Sequence, residues 1–321
     1  MHSFTELSKL FEEKFDTRHF PTHTPSLYDP AQYILGIGGK RVRPAAVLMG
    51  NELFDDIKPD AYKVATAIEL FHNFSLIHDD IMDKAPLRRG VPTVHAKFGD
   101  STALLAGDVM LVAAYEYLNK IQSGIIHSIL SLFNKTAKEV CEGQQLDMEF
   151  EKRETVSLEE YVNMIGLKTS VLLAASLQMG AILGGAGEGN QKHLYQFGKN
   201  LGIAFQVQDD YLDAFGNPET FGKQVGGDIL SNKKTFLLIH TMQSASDSQR
   251  SSLAALMQGN EPGKVQTVLN LFRECGADEW AKQLKQQYLQ AALKHLDEIA
   301  VLSVRKEPLK ELAHFLIQRD S

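Results

Sequence analysis

A chain of 321 residues, 44% of them hydrophobic, is long enough for one large core or two small ones and ordinary for a globular protein. Its net charge of −7 argues against a broad nucleic-acid-binding surface, so an anionic ligand has to be met by local cations or by metal ions. The two cysteines, Cys141 and Cys275, supply neither a disulfide framework nor a zinc-ligand set, which points to a reducing cytoplasm.

The N-terminal stretch MHSFTELSKLFEEKF is amphipathic and acidic, without the basic and apolar regions of a signal peptide. Apolar residues then recur with helical spacing, which predicts helices over 60–83, 101–121, 125–150, 157–183, 190–215, 232–243, 248–258, 264–273 and 278–298. Alternating strand-like runs are scarce. Proline and glycine clusters at 21–30, 36–44, 86–92, 184–189, 216–227 and 259–263 read as breaks between helices. No linker of disordered composition divides the chain, so one all-α domain over residues 1–321 is expected. Asp, Lys, Gln and Gly interrupt the most apolar pieces, so no membrane span is expected.

The first chemistry-bearing segment is Gly38-Gly39-Lys40-Arg41-Val42-Arg43-Pro44. Its glycines let backbone approach an anion and three cations follow, but the spacing is not that of a Walker A loop. It reads equally as a basic helix start. Next comes Asp79-Asp80-Ile81-Met82-Asp83, a DDxxD segment inside a helical pattern. Asp79 and Asp83 share a helix face, where like charges destabilise unless a cation offsets them. His72 lies on nearly the same face, and reads either as a packing residue or as part of the site. Arg88 and Arg89 follow in a Pro/Gly-bounded loop and suit phosphate, or form a solvated basic turn.

Gln144 and Asp147 fall three residues apart on a helix and extend a polar wall. Lys168 and Thr169 interrupt an otherwise small and apolar helix; the lysine either snorkels or faces a polar cavity. A second DDxxD segment, Asp209-Asp210-Tyr211-Leu212-Asp213, again sits in a helical pattern. It is followed by a glycine- and lysine-rich stretch with Lys223 and Lys233, readable as a lid over phosphates or as a surface loop. Two such carboxylate clusters suit Mg²⁺, which takes few protein oxygens and completes its shell with water and substrate phosphate. There is no GxSxG elbow, no HExxH and no GxGxxG after a strand, so nothing suggests a covalent nucleophile.

The ordered set GGKRVRP, HNFSLIHDDIMD, PLRRGVPTVH, GQQLD, KTS, FQVQDDYLD, FGKQVGGDI and NKKT, spanning about residues 36–240, resembles the trans-prenyl diphosphate synthases. The resemblance implies an all-α, isoprenoid synthase-type helical bundle around a deep central cavity, usually a homodimer. It implies Mg²⁺, three ions with substrate bound, with Mn²⁺ able to substitute. Carried over by position, Asp79 and Asp83 hold Mg²⁺ on the allylic diphosphate, supported by Asp80. Asp209 holds a further ion from the opposite wall, assisted by Asp210 and Asp213. Arg88, Lys168, Lys223 and Lys233 hold the allylic diphosphate; Lys40, Arg43, His72 and Arg89 hold isopentenyl diphosphate. Thr169 and Gln206 lie beside the developing carbocation. The implied reaction is a 1′–4 condensation of these two substrates.

In this family the residues just before the first DDxxD form the floor under the growing chain. Phe74, with the small Ser75 after it and Phe71 one turn away, resembles the geranylgeranyl type, so C20 is the expected product and C15 the next. The same residues would read simply as core. A class I terpene cyclase shares the first acidic segment but usually carries a different second metal motif. A non-catalytic regulatory subunit would be expected to lose aspartates or arginines, and a calcium module needs a Gly-containing loop rather than apolar helices.

Overall fold

The computed structural model describes residues 1–216, 225–259 and 262–318. Among them the chain is all-α apart from one two-residue strand pair. It divides into two compact units. The first holds Met1–Lys135, Ala175–Tyr195 and Ile299–Leu309; the second holds Thr136–Ala174, Gln196–Glu298 and Lys310–Ser321.

In chain order the helices are α1 (Phe4–Phe15), α2 (Pro25–Gly36), α3 (Val42–Glu52), α4 (Pro59–Met82), α5 (Val94–Phe98), α6 (Asp100–Leu118), α7 (Ser123–Lys152), α8 (Leu158–Ile165), α9 (Val171–Leu183) and α10 (Glu188–Phe215). There follow α11 (Gly227–Leu230), α12 (Phe236–Ser244), α13 (Asp247–Gln258), α14 (Lys264–Glu274), α15 (Ala277–Asp297) and α16 (Ser303–Ile317). Strands β1 (Leu87–Arg88) and β2 (Val91–Pro92) pair antiparallel after α4.

Helices α2 and α3 lie where the sequence reads as broken. The prolines explain the difference. Pro25 is the first residue of α2 and Pro44 sits in the first turn of α3. The first backbone N–H groups of a helix have no intrahelical partner, so a proline there costs little. Pro30 is carried inside α2. α16, carrying Pro308 within it, likewise goes beyond the sequence expectation.

In the first unit α4 is buried along Ala61, Val64, Ala65, Ala67, Ile68, Leu70 and Phe71. It approaches α6 closely because Gly107 has no side chain: a Cβ there would collide with the His78 ring. α3 meets the second half of α9 the same way, since Cβ atoms on Gly50 and Gly180 would strike the backbone carbonyls of Leu177 and Val47. The second unit packs α8, α12, α14 and α15 around Phe236, Leu253, Val268 and Phe272.

One helical run, Leu158–Leu183, is long and apolar enough to cross a membrane by length and composition, although the sequence reads as interrupted there by polar residues. Its few polar residues, Lys168 and Gln178 among them, are too sparse to break it. Most of its apolar window, 72%, is buried inside the protein, as in a core helix.

Candidate active site

In the first unit the candidate residues gather on α4 and the loops facing it. Asp79 and Asp80 close the last turn of α4 and Asp83 caps it. Asp80 is buried and is gripped by Arg88, whose Nε donates to Oδ2 at 2.8 Å and Nη2 to Oδ1 at 2.7 Å. The same Nη2 lies 3.7 Å from Asp79 Oδ2. Burial works against the Arg88 charge, but the hydrogen bonds and charge of Asp80 outweigh it and raise its pKa. A bidentate fork of this kind fixes direction as well as charge.

Arg88 is presented by the β1–β2 hairpin. Its two turn residues, Arg89 and Gly90, have φ of 52° and 79°, the pattern of a two-residue type I′ turn matching the twist of paired strands. Arg89 Nη1 donates to the Gly38 carbonyl, and the guanidinium lies against Gly39, where a Cβ would sit 3.0 Å from it. The glycine pair therefore admits the arginine. Lys40 is exposed beside it. Arg43 Nη1 donates to His72 Nε2 at 3.1 Å. Burial, then Arg43, Arg89 and the neighbouring arginines, pushes the His72 pKa well down, so the ring is neutral and accepts.

One turn before Asp79, Phe74 is half-buried with its ring 4.7 Å from His78 and 5.6 Å from Phe71. Phe71 is fully buried and backed edge-on by Phe133 at 5.3 Å, which meets Tyr115 at 5.2 Å. Ser75 bonds back to the His72 carbonyl at 2.7 Å and stays small against this cluster.

In the second unit Lys168 and Thr169 lie in a π-helical turn, Gly166–Ser170, between α8 and α9. Such single turns re-aim side chains within a helix. Two glycines make room for it: a Cβ on Gly143 would collide with the backbone nitrogen of Lys168, and one on Gly202 would lie 2.7 Å from Ser170 Cα. Lys168 Nζ donates to Asp147 Oδ2 at 2.6 Å. Gln144 is half-buried on α7, one turn before Asp147.

Asp209, Asp210 and Asp213 lie in the last two turns of α10. Asp210 is buried, and both its oxygens are engaged, one by the Tyr161 hydroxyl and one by Gln206 Nε2 at 2.8 Å. Gln206 Oε1 in turn lies 3.5 Å from Thr169 Oγ1. Burial, then the Asp228 charge, raises the Asp210 pKa well above the usual carboxylate range; the two donors work against that shift. Asp213 caps α11 by accepting from Asp228 N at 3.0 Å. Lys233 Nζ lies 3.6 Å from Asp228. Before it, Asn232 holds a left-handed φ of 56° and accepts from buried Lys264 at 2.6 Å.

Asp147, Tyr161, Lys168, Thr169, Gln206, Asp210, Asp228 and Lys233 line one cavity of about 110 Å³. Asp228 belongs to the FGKQVGGDI segment, though the sequence assigns it no role; Tyr161 and Lys264 carry no motif signal and become visible only through their contacts with Asp210 and Asn232. Lys223 lies outside the described residues. Among the described residues no three acidic or imidazole groups converge as a ready-made metal cage. Carboxylates on successive helix turns, with arginines and lysines nearby, fit a hard cation that shares its shell with phosphate oxygens.

Comparison with known proteins agrees along nearly the whole chain. The polyprenyl synthetase family model matches residues 24–275. A short chain isoprenyl diphosphate synthase of Methanothermobacter thermautotrophicus is 37% identical, over 92% of this chain and 91% of its own. A geranylgeranyl diphosphate synthase of Saccharolobus solfataricus is 36% identical, over 99% of each chain. A crystal structure of a geranylgeranyl pyrophosphate synthase superimposes with a TM-score of 0.95, at 42% identity and with both chains fully covered.

Proposed function

The chain belongs to the polyprenyl synthetase family and is a prenyltransferase, and on that premise we propose that it condenses isopentenyl diphosphate with an allylic diphosphate, dimethylallyl, geranyl or farnesyl, to give chiefly geranylgeranyl diphosphate. The observation that carries this reading is the composition of α4. Within four turns it presents His72 to Arg43, Phe74 to the aromatic cluster, and Asp79 and Asp80 to Arg88. One helix thus offers a cation-lined anchor, an apolar stop and a carboxylate pair.

In the reaction the C1–O bond of the allylic substrate breaks and its electron pair leaves with diphosphate. The isopentenyl double bond attacks the resulting allylic cation, and a proton is lost to the departing diphosphate. Asp79 and Asp83 would hold Mg²⁺, with Asp80, locked by Arg88, as their support. Asp209 is the further ligand, with Asp210 and Asp213 assisting. When bound, Mg²⁺ supplies Lewis-acid stabilisation of the leaving charge. Arg88, Lys168 and Lys233 grip the allylic diphosphate, with Lys223 assigned the same task by position. Lys40, Arg43, His72 and Arg89 hold isopentenyl diphosphate; neutral His72 keeps Arg43 aimed. Thr169 and Gln206 set an amide oxygen beside the developing cation. Water has to be kept from that cation, because it would quench it.

Phe71 stands behind Phe74 as a second ring, which keeps a C15 product as the second reading. Exposed Leu104, Leu105 and Val112 on α6 support a homodimer, since large apolar side chains in one stripe favour a partner surface. The whole chain serves as one catalytic domain, and the free thiols of Cys141 and Cys275 favour a cytoplasmic location.

The test is diphosphate release with Mg²⁺ in Asp79→Asn and Asp209→Asn. Each change removes one carboxylate charge and is expected to cost at least about a hundredfold in rate. Wild-type rates in both folded variants would overturn the assignment.

A further inference from the structure

Of the three cations in Lys40-Arg41-Val42-Arg43, the proposed function uses two. Arg41 is the third, and it turns inward. Its side chain is nearly buried, with the residue 8% exposed, and its backbone is left-handed with φ 51°, a conformation that L-residues with a side chain adopt at a cost. Such strain persists only where the surroundings over-determine it. Here they do. Arg41 Nη1 donates to Glu69 Oε1, Nη2 donates to the Leu35 carbonyl at 3.1 Å, and the guanidinium stands over the Phe15 ring at 5.2 Å. Glu12 lies 3.5 Å from Nε. Glu69 is itself buried and receives Asn73 Nδ2 at 3.1 Å.

Glu69 and His72 are neighbours on α4, three residues apart, and they face one another's helical turn. The first takes Arg41; the second takes Arg43. The loop is therefore pinned at two points to the helix that carries Asp79, while Arg89 ties the Gly38 carbonyl from the other side.

We propose that Arg41 and Glu69 are a positioning pair for the isopentenyl diphosphate anchor: the buried fork holds the left-handed turn at Arg41, and that turn sets Lys40 and Arg43 at the spacing the diphosphate needs. This rests on the reading that Lys40 and Arg43 bind that substrate. Lysine cannot replace Arg41 fully, because one ammonium does not span a carboxylate and a carbonyl with fixed planar geometry.

The experiment compares Arg41→Lys and Glu69→Gln with Lys40→Ala and Arg43→Ala. It measures KM for isopentenyl diphosphate, KM for farnesyl diphosphate, kcat and melting temperature. Arg41→Lys keeps the charge and Glu69→Gln keeps the shape, and the melting temperature shows which of the two is folded under the assay conditions. Both are expected to raise KM for isopentenyl diphosphate about tenfold, with KM for farnesyl diphosphate changed less than about twofold, the pattern of a lost binding contact on one substrate only. A lower melting temperature with both KM values unchanged would overturn the proposal and leave Arg41 as a core ion pair. Equal rises in both KM values would overturn it as well. The reference variants separate the two readings: if Lys40→Ala and Arg43→Ala leave KM for isopentenyl diphosphate unchanged, the substrate assignment fails and takes the positioning role with it.

Discussion

Phe74→Ala probes the length of the product. α4 rises about 1.5 Å per residue, so Phe74 stands about 7.5 Å and Phe71 about 12 Å along the axis from Asp79. Removing the Phe74 ring moves the first aromatic obstacle back by the difference, about 4.5 Å, or roughly one five-carbon unit. The next obstacle is firm: Phe71 is 1% exposed and braced by Phe133 at 5.3 Å. The main product should therefore shift by one unit, from C20 to C25, and not run on. Phe74 is half-buried, so the stability cost should fall below the 3–5 kcal/mol of a fully buried Phe→Ala change, at about 2 kcal/mol. The assay is mass-resolved product analysis from farnesyl diphosphate and excess isopentenyl diphosphate, with a melting curve beside it. An unchanged distribution in a folded variant refutes the floor. Products beyond C30 from the single change refute Phe71 as the second stop, and Phe71→Ala added to it should then have no further effect.

Gly143→Ala drives a Cβ into the backbone of the turn that carries Lys168. Backbone cannot swing aside as a side chain can, so about 1–3 kcal/mol of stability and most of the activity should be lost; Gly124→Ala, with nothing within 4 Å, is the control, and equal behaviour of the two contradicts the packing. Tyr161→Phe removes a hydrogen-bond partner of buried Asp210 and should cost about 0.5–1.5 kcal/mol where that carboxyl is protonated, the range for a bond between neutral groups. Because the Asp210 pKa is raised in the folded protein, the native state keeps a proton that the unfolded chain has lost, and stability falls as pH rises through that window. Tyr161→Phe should extend that fall to higher pH in melting curves without metal; an unaltered pH dependence counts against the pair. His72 has the opposite sign. Its folded pKa is lowered, so its contribution is complete above about pH 6.5, the unfolded value, and is lost as pH falls below it. His72→Gln should flatten that limb of the stability profile, and a profile as steep as wild type would contradict the neutral-acceptor role.

The chemistry-bearing helices were legible because their signals are local. Asp79 and Asp83, or Asp209 and Asp213, declare a shared face through four-residue spacing, and α4 and α10 carry them as expected. What stayed hidden depends on contacts between distant residues. Tyr161 meets Asp210, Lys264 meets Asn232, and Arg41 meets Glu69, none of which leaves a periodic trace. The π-helical turn at Lys168 is invisible for the same reason: the glycines that admit it, Gly143 and Gly202, sit in other helices. Pro25 and Pro44 read as breaks yet occupy the first turns of α2 and α3, where proline is harmless. The apolar run through Leu158–Leu183 looked interrupted by its polar residues, but a helix tolerates a lysine whose head reaches Asp147.

The most direct measurement is product analysis of the purified protein with Mg²⁺, isopentenyl diphosphate and, in turn, dimethylallyl, geranyl and farnesyl diphosphate. Condensation with each starter and a dominant C20 product are expected. Products stopping at C15 or running past C25 would contradict the assignment of Phe74 as the floor. A folded protein that condenses none of the three would contradict the central claim.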